Sequence, residues 1–196
     1  MDQPLQGPNQ WPMDLPGFRE AVTSYNAMLE DIARRLTRLI GRALHLPPDA
    51  LDPYFARPTT WLRLLHYPPQ GPQAPADEFG GLEVRRSDGT WLPVTPAPGT
   101  FVVNVRDMLS RWTNGHWQST PHRVQNRTQE DRYSVPYFFD PAMSAMIACL
   151  PSCLAPGERP RYEPVRYGEY VMERIDKNYG YRHTSNVSAL SATVAR

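Results

Sequence analysis

The chain has 196 residues, of which 40% are hydrophobic, and its formal net charge at pH 7 is +1. This length suits one domain with a hydrophobic core, and the near-neutral charge argues against a nucleic-acid or membrane partner. No apolar run is long enough to cross a bilayer, no signal-peptide pattern follows Met1, and Cys149 and Cys153 are expected as free thiols, so we expect a cytoplasmic protein.

The N-terminal part of the sequence predicts an arm followed by one long helix. Residues 1–13 are rich in Pro and Gln and are expected to form the arm. Asp14 is placed to cap a helix, and Pro16 suits its first turn. From Phe18 onward, apolar residues recur at alternating steps of four and three, which is typical of an amphipathic helix with one buried stripe. The stripe consists of Val22, Tyr25, Leu29, Ile32, Leu36, Leu39 and Ala43. We expect it to pack on the domain's own sheet.

Short strands separated by turns are predicted after Pro58. The chain contains 22 prolines, and they fall mostly between hydrophobic runs, which favours many short strands over a helical bundle. The predicted strands are Trp61–Tyr67, Leu82–Arg85, Trp91–Val94, a buried Phe101–Val105, a short run at His122, and Arg132–Phe139. Asp107–Trp112 predicts a helical turn and Tyr167–Tyr179 a C-terminal helix. A helix followed by short antiparallel strands favours a β-sandwich or jelly roll.

Three polar residues in this region form a candidate binding site. Alternate side chains of an extended strand share a face, so Arg132 and Ser134 point the same way. An arginine fork beside a hydroxyl is a good receptor for a carboxylate. His122, if it lies on a neighbouring strand, could hold a metal beside them. The structural alternatives are a hydrogen-bonded strand histidine and a surface arginine.

Six sequence blocks, in this order, carry a resemblance to a known family. They are L-R-L-L-H-Y-P-P, D-G-T-W-L-P-V, P-G-T-F-V-V-N-V-x-D-M-L, W-T-N-G, S-T-P-H-R-V and R-Y-S-V-P-Y-F-F-D-P. Together they resemble the iron(II)/2-oxoglutarate-dependent oxygenases of the isopenicillin N synthase-like family. The resemblance covers most of the chain from Gln6 to Tyr181.

The resemblance implies a fold, two cofactors and a site. The fold is mainly β with flanking helices: a double-stranded β-helix, or jelly roll, with a long N-terminal helix and a C-terminal helix over residues 14–182, followed by a flexible tail over 183–196. The cofactors are Fe(II) and the cosubstrate 2-oxoglutarate, and the partner is a small organic substrate that is hydroxylated, desaturated or cyclised. By this resemblance His122 is a metal ligand, Arg132 and Ser134 bind the far carboxylate of 2-oxoglutarate, and Tyr67 adds a hydroxyl to it.

The sequence departs from the family pattern at two positions. The family has a His-x-Asp pair between the Y-P-P block and the following strand, whereas Gln70–Gly80 contains no histidine and leads directly into Gly81. The jelly roll is therefore expected to be incomplete, and two metal ligands are missing. Arg106 stands where the family usually has Gly, at a cost of about 1 kcal/mol if that position needs a positive φ.

The missing ligands leave two alternatives to a working oxygenase. One is a non-catalytic remnant that binds a carboxylate ligand or a protein partner. The other is a related oxidase that does not use 2-oxoglutarate, in which Arg132 and Ser134 would bind a carboxylate of the substrate.

Overall fold

A computed structural model of the chain describes residues 7–69, 81–95, 97–126 and 129–178. Three α-helices lie within these ranges: α1 (Phe18–Ala43), α2 (Asp107–Trp112) and α3 (Tyr167–Asn178). The first residues of the predicted arm, the predicted tail over 183–196 and the junction between residues 80 and 81 lie outside the described residues. No helix in the described ranges is both long and apolar enough to cross a membrane.

The remaining elements are short strands, as the prolines predicted. They are β1 (Thr59–Leu62), β2 (Leu65–Tyr67), β3 (Leu82–Arg85), β4 (Trp91–Pro93), β5 (His122–Val124), β6 (Arg132–Ser134), β7 (Tyr137–Asp140), β8 (Met146–Ile147) and β9 (Val165–Arg166). Short 3-10 turns occupy Asp52–Phe55 and Pro151–Cys153. In the part of the chain that the structure describes, these strands form small antiparallel sheets and do not close into a barrel.

The strands β1, β2, β6 and β7 form one interrupted ladder. Thr59 lies opposite Asp140 and Tyr67 lies opposite Arg132, so the register is unchanged across the interruption. At the break the Arg63 N–H still donates to the Pro136 carbonyl at 3.0 Å. Proline has no N–H to complete a ladder pair, which explains why each predicted long strand is divided in two.

One face of this ladder carries the candidate carboxylate receptor. Because side chains alternate along a strand and paired residues share a face, eight side chains of these four strands project to the same side. They are Thr59, Trp61, Leu65, Tyr67, Arg132, Ser134, Phe138 and Asp140. We call this side the Arg132 face.

A second sheet has the order β4–β3–β5. The strands β3 and β4, both predicted, pair as a hairpin, with Gly89 at φ +89° and the Thr90 N–H donating to Asp88 Oδ1 at 2.9 Å. On its other edge β3 pairs with β5, so that Val84 lies opposite His122. His122 is therefore on a strand, as expected, but in a different sheet from Arg132.

The hydrophobic core lies between the β7 end of the ladder and the helices α2 and α3. Trp112 and Ile147 are almost completely buried, and the rings of Phe55 and Phe139 stack at 4.9 Å. The helix α1 packs against this core through Ile40, which is not part of the predicted stripe, and the stripe itself is unevenly buried. Leu29 is 6% exposed, whereas Leu39 is 58% exposed.

The predicted cap of α1 is wrong. The helix begins at Phe18, and its N-cap is Gly17 at φ 80° with no capping side chain. A turn in which the Phe18 N–H donates to the Leu15 carbonyl at 3.2 Å precedes it. A capping side chain must sit directly before the helix. This turn and the left-handed Gly17 separate Asp14 from the first helical N–H groups, so Asp14 does not cap them.

The buried strand predicted at Phe101–Val105 is also wrong. Phe101, Val102 and Val103 are between 53% and 60% exposed, and the segment does not form a strand. No backbone hydrogen bond joins residues 101–105 to another described residue. The residues have high β-propensity, but a strand also requires a neighbour with which to pair.

The cost expected for Arg106 does not arise. Its φ is −113° and its ψ is −178°, so the backbone is extended and needs no glycine. A tight turn follows α2, with Asn114 at φ 54° and Gly115 at φ 83°.

Candidate functional site

Arg132, Ser134 and Tyr67 lie together on the Arg132 face. Tyr67 is directly opposite Arg132 across the β2–β6 pair, and the Arg132 Cζ lies 5.1 Å from the centre of the Tyr67 ring. Ser134 is opposite Leu65 on the same face. Stacking on an aromatic ring involves the flat face of a guanidinium, whereas its N–H groups lie in its plane and bind a carboxylate edge-on. A distance of 5.1 Å is within the range of a cation–π contact, which holds the guanidinium near the Tyr67 ring.

Asn126 and Gly81, which were not among the predicted site residues, pack beside Tyr67 and Arg132. Asn126 is 5% exposed, and its Nδ2 donates to the carbonyls of Tyr67 at 3.1 Å and Pro68 at 2.8 Å. Gly81 has φ +79°, and a Cβ there would lie 2.4 Å from the Gln125 carbonyl oxygen and 3.6 Å from Arg132 Cδ. Only glycine fits this position. The Gly-Gly pair directly before β3 was the available signal for Gly81, but the contacts of Asn126 have no local signature.

His122 lies on β5 with an exposed side chain. Its Nδ1 is 3.0 Å from Asn104 Nδ2 and 3.4 Å from the Thr120 carbonyl oxygen. No contact among the described residues joins this imidazole to Arg132 or Ser134. The structure thus brings three of the four predicted site residues together and leaves the fourth on the neighbouring sheet.

The side chains that the structure describes do not fit an iron centre. A 2-His-1-carboxylate site needs three protein ligands on one side of the metal. No group of three or more His, Cys, Asp or Glu side chains in the described ranges is arranged to hold a metal ion. The segment over 70–80, which lies outside those ranges, contains Asp77 and Glu78 but no histidine.

The other histidine near the ladder does not replace the missing ligands. His66 is paired with Tyr133 on the opposite side of the β2–β6 ladder, and the two rings stack at 4.8 Å. Its Nε2 lies 2.6 Å from Asp131 Oδ1. His66 therefore points away from the Arg132 face.

Asp140, at the end of the Arg132 face away from Arg132, has a raised pKa. Burial raises the pKa of the Asp140 carboxyl, while a hydrogen bond from Tyr167 and the charge of Arg106 act in the opposite direction. The Arg106 Cζ lies 4.6 Å from the centre of the Phe138 ring. The arginine that replaces the family's glycine therefore places a positive charge near a buried carboxyl group.

Comparisons with known proteins find similarity to one superfamily of enzymes. A family model described as the 2OG-Fe(II) oxygenase superfamily matches residues 73–141. The 2-oxoglutarate-Fe(II) type oxidoreductase hxnY of Emericella nidulans is 31% identical over 89% of this chain and 57% of its own length. The homoarginine-6-hydroxylase 2-ODD-233 of Oryza sativa is 32% identical over 90% of this chain and 61% of its own length.

Solved structures show the same similarity. A 2OG-Fe(II) oxygenase family protein from Caulobacter crescentus superposes with a TM-score of 0.77 at 33% identity, covering 86% of this chain and 62% of that chain. A full-length Neurospora crassa protein in complex with alpha-KG and thymine superposes with a TM-score of 0.79 at 28% identity, covering 91% and 62%. The jelly-roll fold class is confirmed. The chain spans about three fifths of the length of these relatives.

Proposed function

Because the chain belongs to the 2OG-Fe(II) oxygenase superfamily, we propose that it is part of an enzyme that oxidises a small organic molecule by hydroxylation, desaturation or cyclisation. In this family Fe(II) and 2-oxoglutarate supply the oxidising power, and the protein supplies binding, orientation and exclusion of water. Because both cysteines are free thiols, as in a reducing compartment, we assign the protein to the cytoplasm.

The observation that carries the proposal is the arrangement on the Arg132 face. The Arg132 guanidinium is stacked beside Tyr67, and Ser134 lies two residues further along the same strand face. Arg132 would bind the far carboxylate of 2-oxoglutarate through two N–H groups, and Ser134 would donate its hydroxyl to the same carboxylate. Tyr67 would fix the plane of the guanidinium and add its own hydroxyl.

The incomplete set of metal ligands around His122 among the described residues supports a second candidate function. His122 would be one metal ligand, but the described residues offer no group that could complete the set. A single imidazole does not hold Fe(II) against water. The chain in this form is therefore proposed to retain carboxylate binding without turnover, as expected for a non-catalytic remnant of an oxygenase.

Binding of 2-oxoglutarate to wild type and Arg132→Met tests the carboxylate role. Charge-assisted hydrogen bonds contribute about 1.5–3 kcal/mol, so we expect the substitution to weaken binding about 10- to 100-fold. Arg132→Lys should recover part of the loss, since it keeps the charge without the planar fork. Arg86→Met is the matched control, because Arg86 is an exposed arginine in the β3–β4 turn. Equal binding by wild type and Arg132→Met would contradict the assignment.

Succinate formation separates the two candidate functions. Purified chain supplied with Fe(II), oxygen and 2-oxoglutarate is expected to form no succinate above a protein-free control. Stoichiometric iron binding together with succinate formation would overturn the remnant and leave the working oxygenase.

A further inference from the structure

A cavity of about 420 Å³ lies between the helices α2 and α3. We call it the α2–α3 cavity. Its volume is within the range of pockets that hold small organic molecules. Its lining includes three arginine or lysine side chains, two carboxylates and two tyrosine rings, but none of the four residues predicted for the oxygenase site. The α2–α3 cavity is therefore separate from the Arg132 face.

Arg111 is held in the lining of this cavity by two aromatic rings. Its Cζ lies 5.2 Å from the centre of the Tyr162 ring and 5.3 Å from the centre of the Tyr170 ring. Its Nη1 donates to the carbonyl of Glu163 at 3.0 Å. The rings and the carbonyl fix the guanidinium in position but carry no formal charge. Arg111 thus presents a preorganised positive charge, which lowers the entropic cost of binding an anion.

The two carboxylates in the lining each have a cationic partner. Asp107 accepts hydrogen bonds from the Tyr170 hydroxyl and from Arg174. Lys177 Nζ lies 2.6 Å from Glu173 Oε1, and this hydrogen bond lowers the pKa of Glu173. Both acidic groups are therefore expected to be ionised and paired at neutral pH, so the α2–α3 cavity does not require a cationic ligand.

The lining of the α2–α3 cavity carries one more positive charge than negative charges. Arg111, Arg174 and Lys177 face Asp107 and Glu173. Residues 179–196, which follow α3 in the sequence, contain no aspartate or glutamate and so add no side-chain carboxylate. A ligand with one negative charge would balance this excess. A dianion such as a phosphate monoester would also be repelled by the two carboxylates.

We propose that the α2–α3 cavity binds a small organic monocarboxylate. The Arg111 guanidinium would bind the carboxylate edge-on through its N–H groups. The apolar body of the ligand would contact Val165 and the rings of Tyr162 and Tyr170, which line the same cavity. Since no residue is shared with the Arg132 face, binding here does not depend on the proposed oxygenase function.

Chemical-shift titration followed by NMR at pH 7.5 tests this site with three matched probes. Benzoate is the monocarboxylate, benzamide is its neutral analogue and phenyl phosphate is the dianion. We expect benzoate to bind with a Kd of about 1 mM and to shift resonances of α2 and α3. Benzamide should bind at least about tenfold more weakly, because it lacks the charge-assisted hydrogen bond. Phenyl phosphate should bind no more tightly than benzoate.

Two substitutions in the lining should have opposite effects on benzoate binding. Arg111→Gln removes the positive charge and is expected to weaken binding at least about tenfold. Glu173→Gln removes a carboxylate and leaves the charge of Lys177 unbalanced, so it should tighten binding about threefold. A gain in affinity cannot arise from partial unfolding. Arg19→Gln is the control for Arg111→Gln, because the exposed Arg19 also stacks on an aromatic ring, that of Trp11.

Arg132→Met separates this site from the carboxylate receptor on the Arg132 face, and it should leave the benzoate titration of α2 and α3 unchanged. Loss of that titration in Arg132→Met, or its persistence in Arg111→Gln, would overturn the proposal. Equal binding of benzoate and benzamide would show that Arg111 does not bind the carboxylate. Phenyl phosphate binding more than tenfold tighter than benzoate, or weaker benzoate binding by Glu173→Gln, would overturn the assignment to a monocarboxylate.

Discussion

Arg106 shows how one residue that departs from a family pattern is accommodated. Its extended backbone removes the need for glycine, and its guanidinium packs over Phe138. Its charge opposes the effect of burial on the pKa of Asp140, which nevertheless remains raised. The ionised form of Asp140 is therefore less favourable in the folded chain than in the unfolded chain.

Asp140→Asn is expected to raise the free energy of unfolding at pH 7. Burial raises the pKa of Asp140 in the folded state, so its ionisation destabilises the fold as the pH rises through that pKa. The asparagine cannot ionise and can still accept the hydrogen bond from Tyr167. The difference from wild type should shrink toward zero at pH 3.5, below the usual aspartate pKa of about 3.9. Urea unfolding at both pH values checks this, and an equal destabilisation at both would contradict it.

Asn126→Asp is expected to destabilise the chain by about 2–4 kcal/mol. The Asn126 amide donates to the carbonyls of Tyr67, Pro68 and Glu130 at 3.1, 2.8 and 3.2 Å, and the residue is buried. An aspartate of the same shape has no donor and places a negative charge against these oxygens.

The exposed Asn104 supplies the control for this substitution. Asn104→Asp should change the free energy of unfolding by less than about 0.5 kcal/mol. Denaturant unfolding compares the two variants. A loss in Asn126→Asp no larger than that in Asn104→Asp would show that the three carbonyl contacts are not stabilising.

Among the elements, those with local signals were predictable from sequence. The periodic stripe predicted α1 from Phe18 to Ala43, and the strand predicted at Leu82–Arg85 has the bounds of β3. The extent of burial was not predictable, because it depends on what other segments cover. Phe101–Val105 has the composition of a buried strand, yet the described residues provide it with no pairing neighbour.

Substitution of α1 residues should reveal the uneven burial of its stripe. Leu29 is 6% exposed, so Leu29→Ala removes core contacts and is expected to cost about 2–5 kcal/mol. Leu39 belongs to the same predicted stripe but is 58% exposed, and Leu39→Ala should cost less than about 0.5 kcal/mol. Thermal and urea unfolding measure both. Equal losses would mean that Leu39 is covered in solution.

The segment from Phe101 to Val103, which pairs with no described strand, is expected to promote self-association. Three consecutive exposed apolar residues without a described pairing neighbour form a template for intermolecular strands. Val102→Lys should reduce light scattering at micromolar concentrations with no loss in melting temperature. Leu92→Lys is the control, because Leu92 is an exposed apolar residue in the paired strand β4. Equal improvement by both variants would show that added charge alone is responsible.

For the whole molecule, candidate site residues could be proposed from the sequence, whereas their arrangement in space could not. Strand alternation placed Arg132 and Ser134 on one face, and the resemblance identified Tyr67. The direct pairing of Tyr67 with Arg132 depends on a register set by distant residues and had no local signal. Asn126, Gly81 and Asp140 were missed because their roles arise from contacts between segments that are far apart in sequence.

The consecutive residues Gln125 and Asn126 hold two segments that are far apart in sequence, and the stretch between those segments is therefore a position where other sequences can be inserted. Pro68 is fixed to Asn126 and Gly81 to Gln125, so the chain leaves and re-enters the framework at neighbouring points. The entropy of closing a loop between fixed ends rises by only about 0.6 kcal/mol for each doubling of its length. Segments of very different length and chemistry can therefore be exchanged between residues 69 and 81 while the framework stays intact, which makes this the natural position at which to build ligands back into the protein.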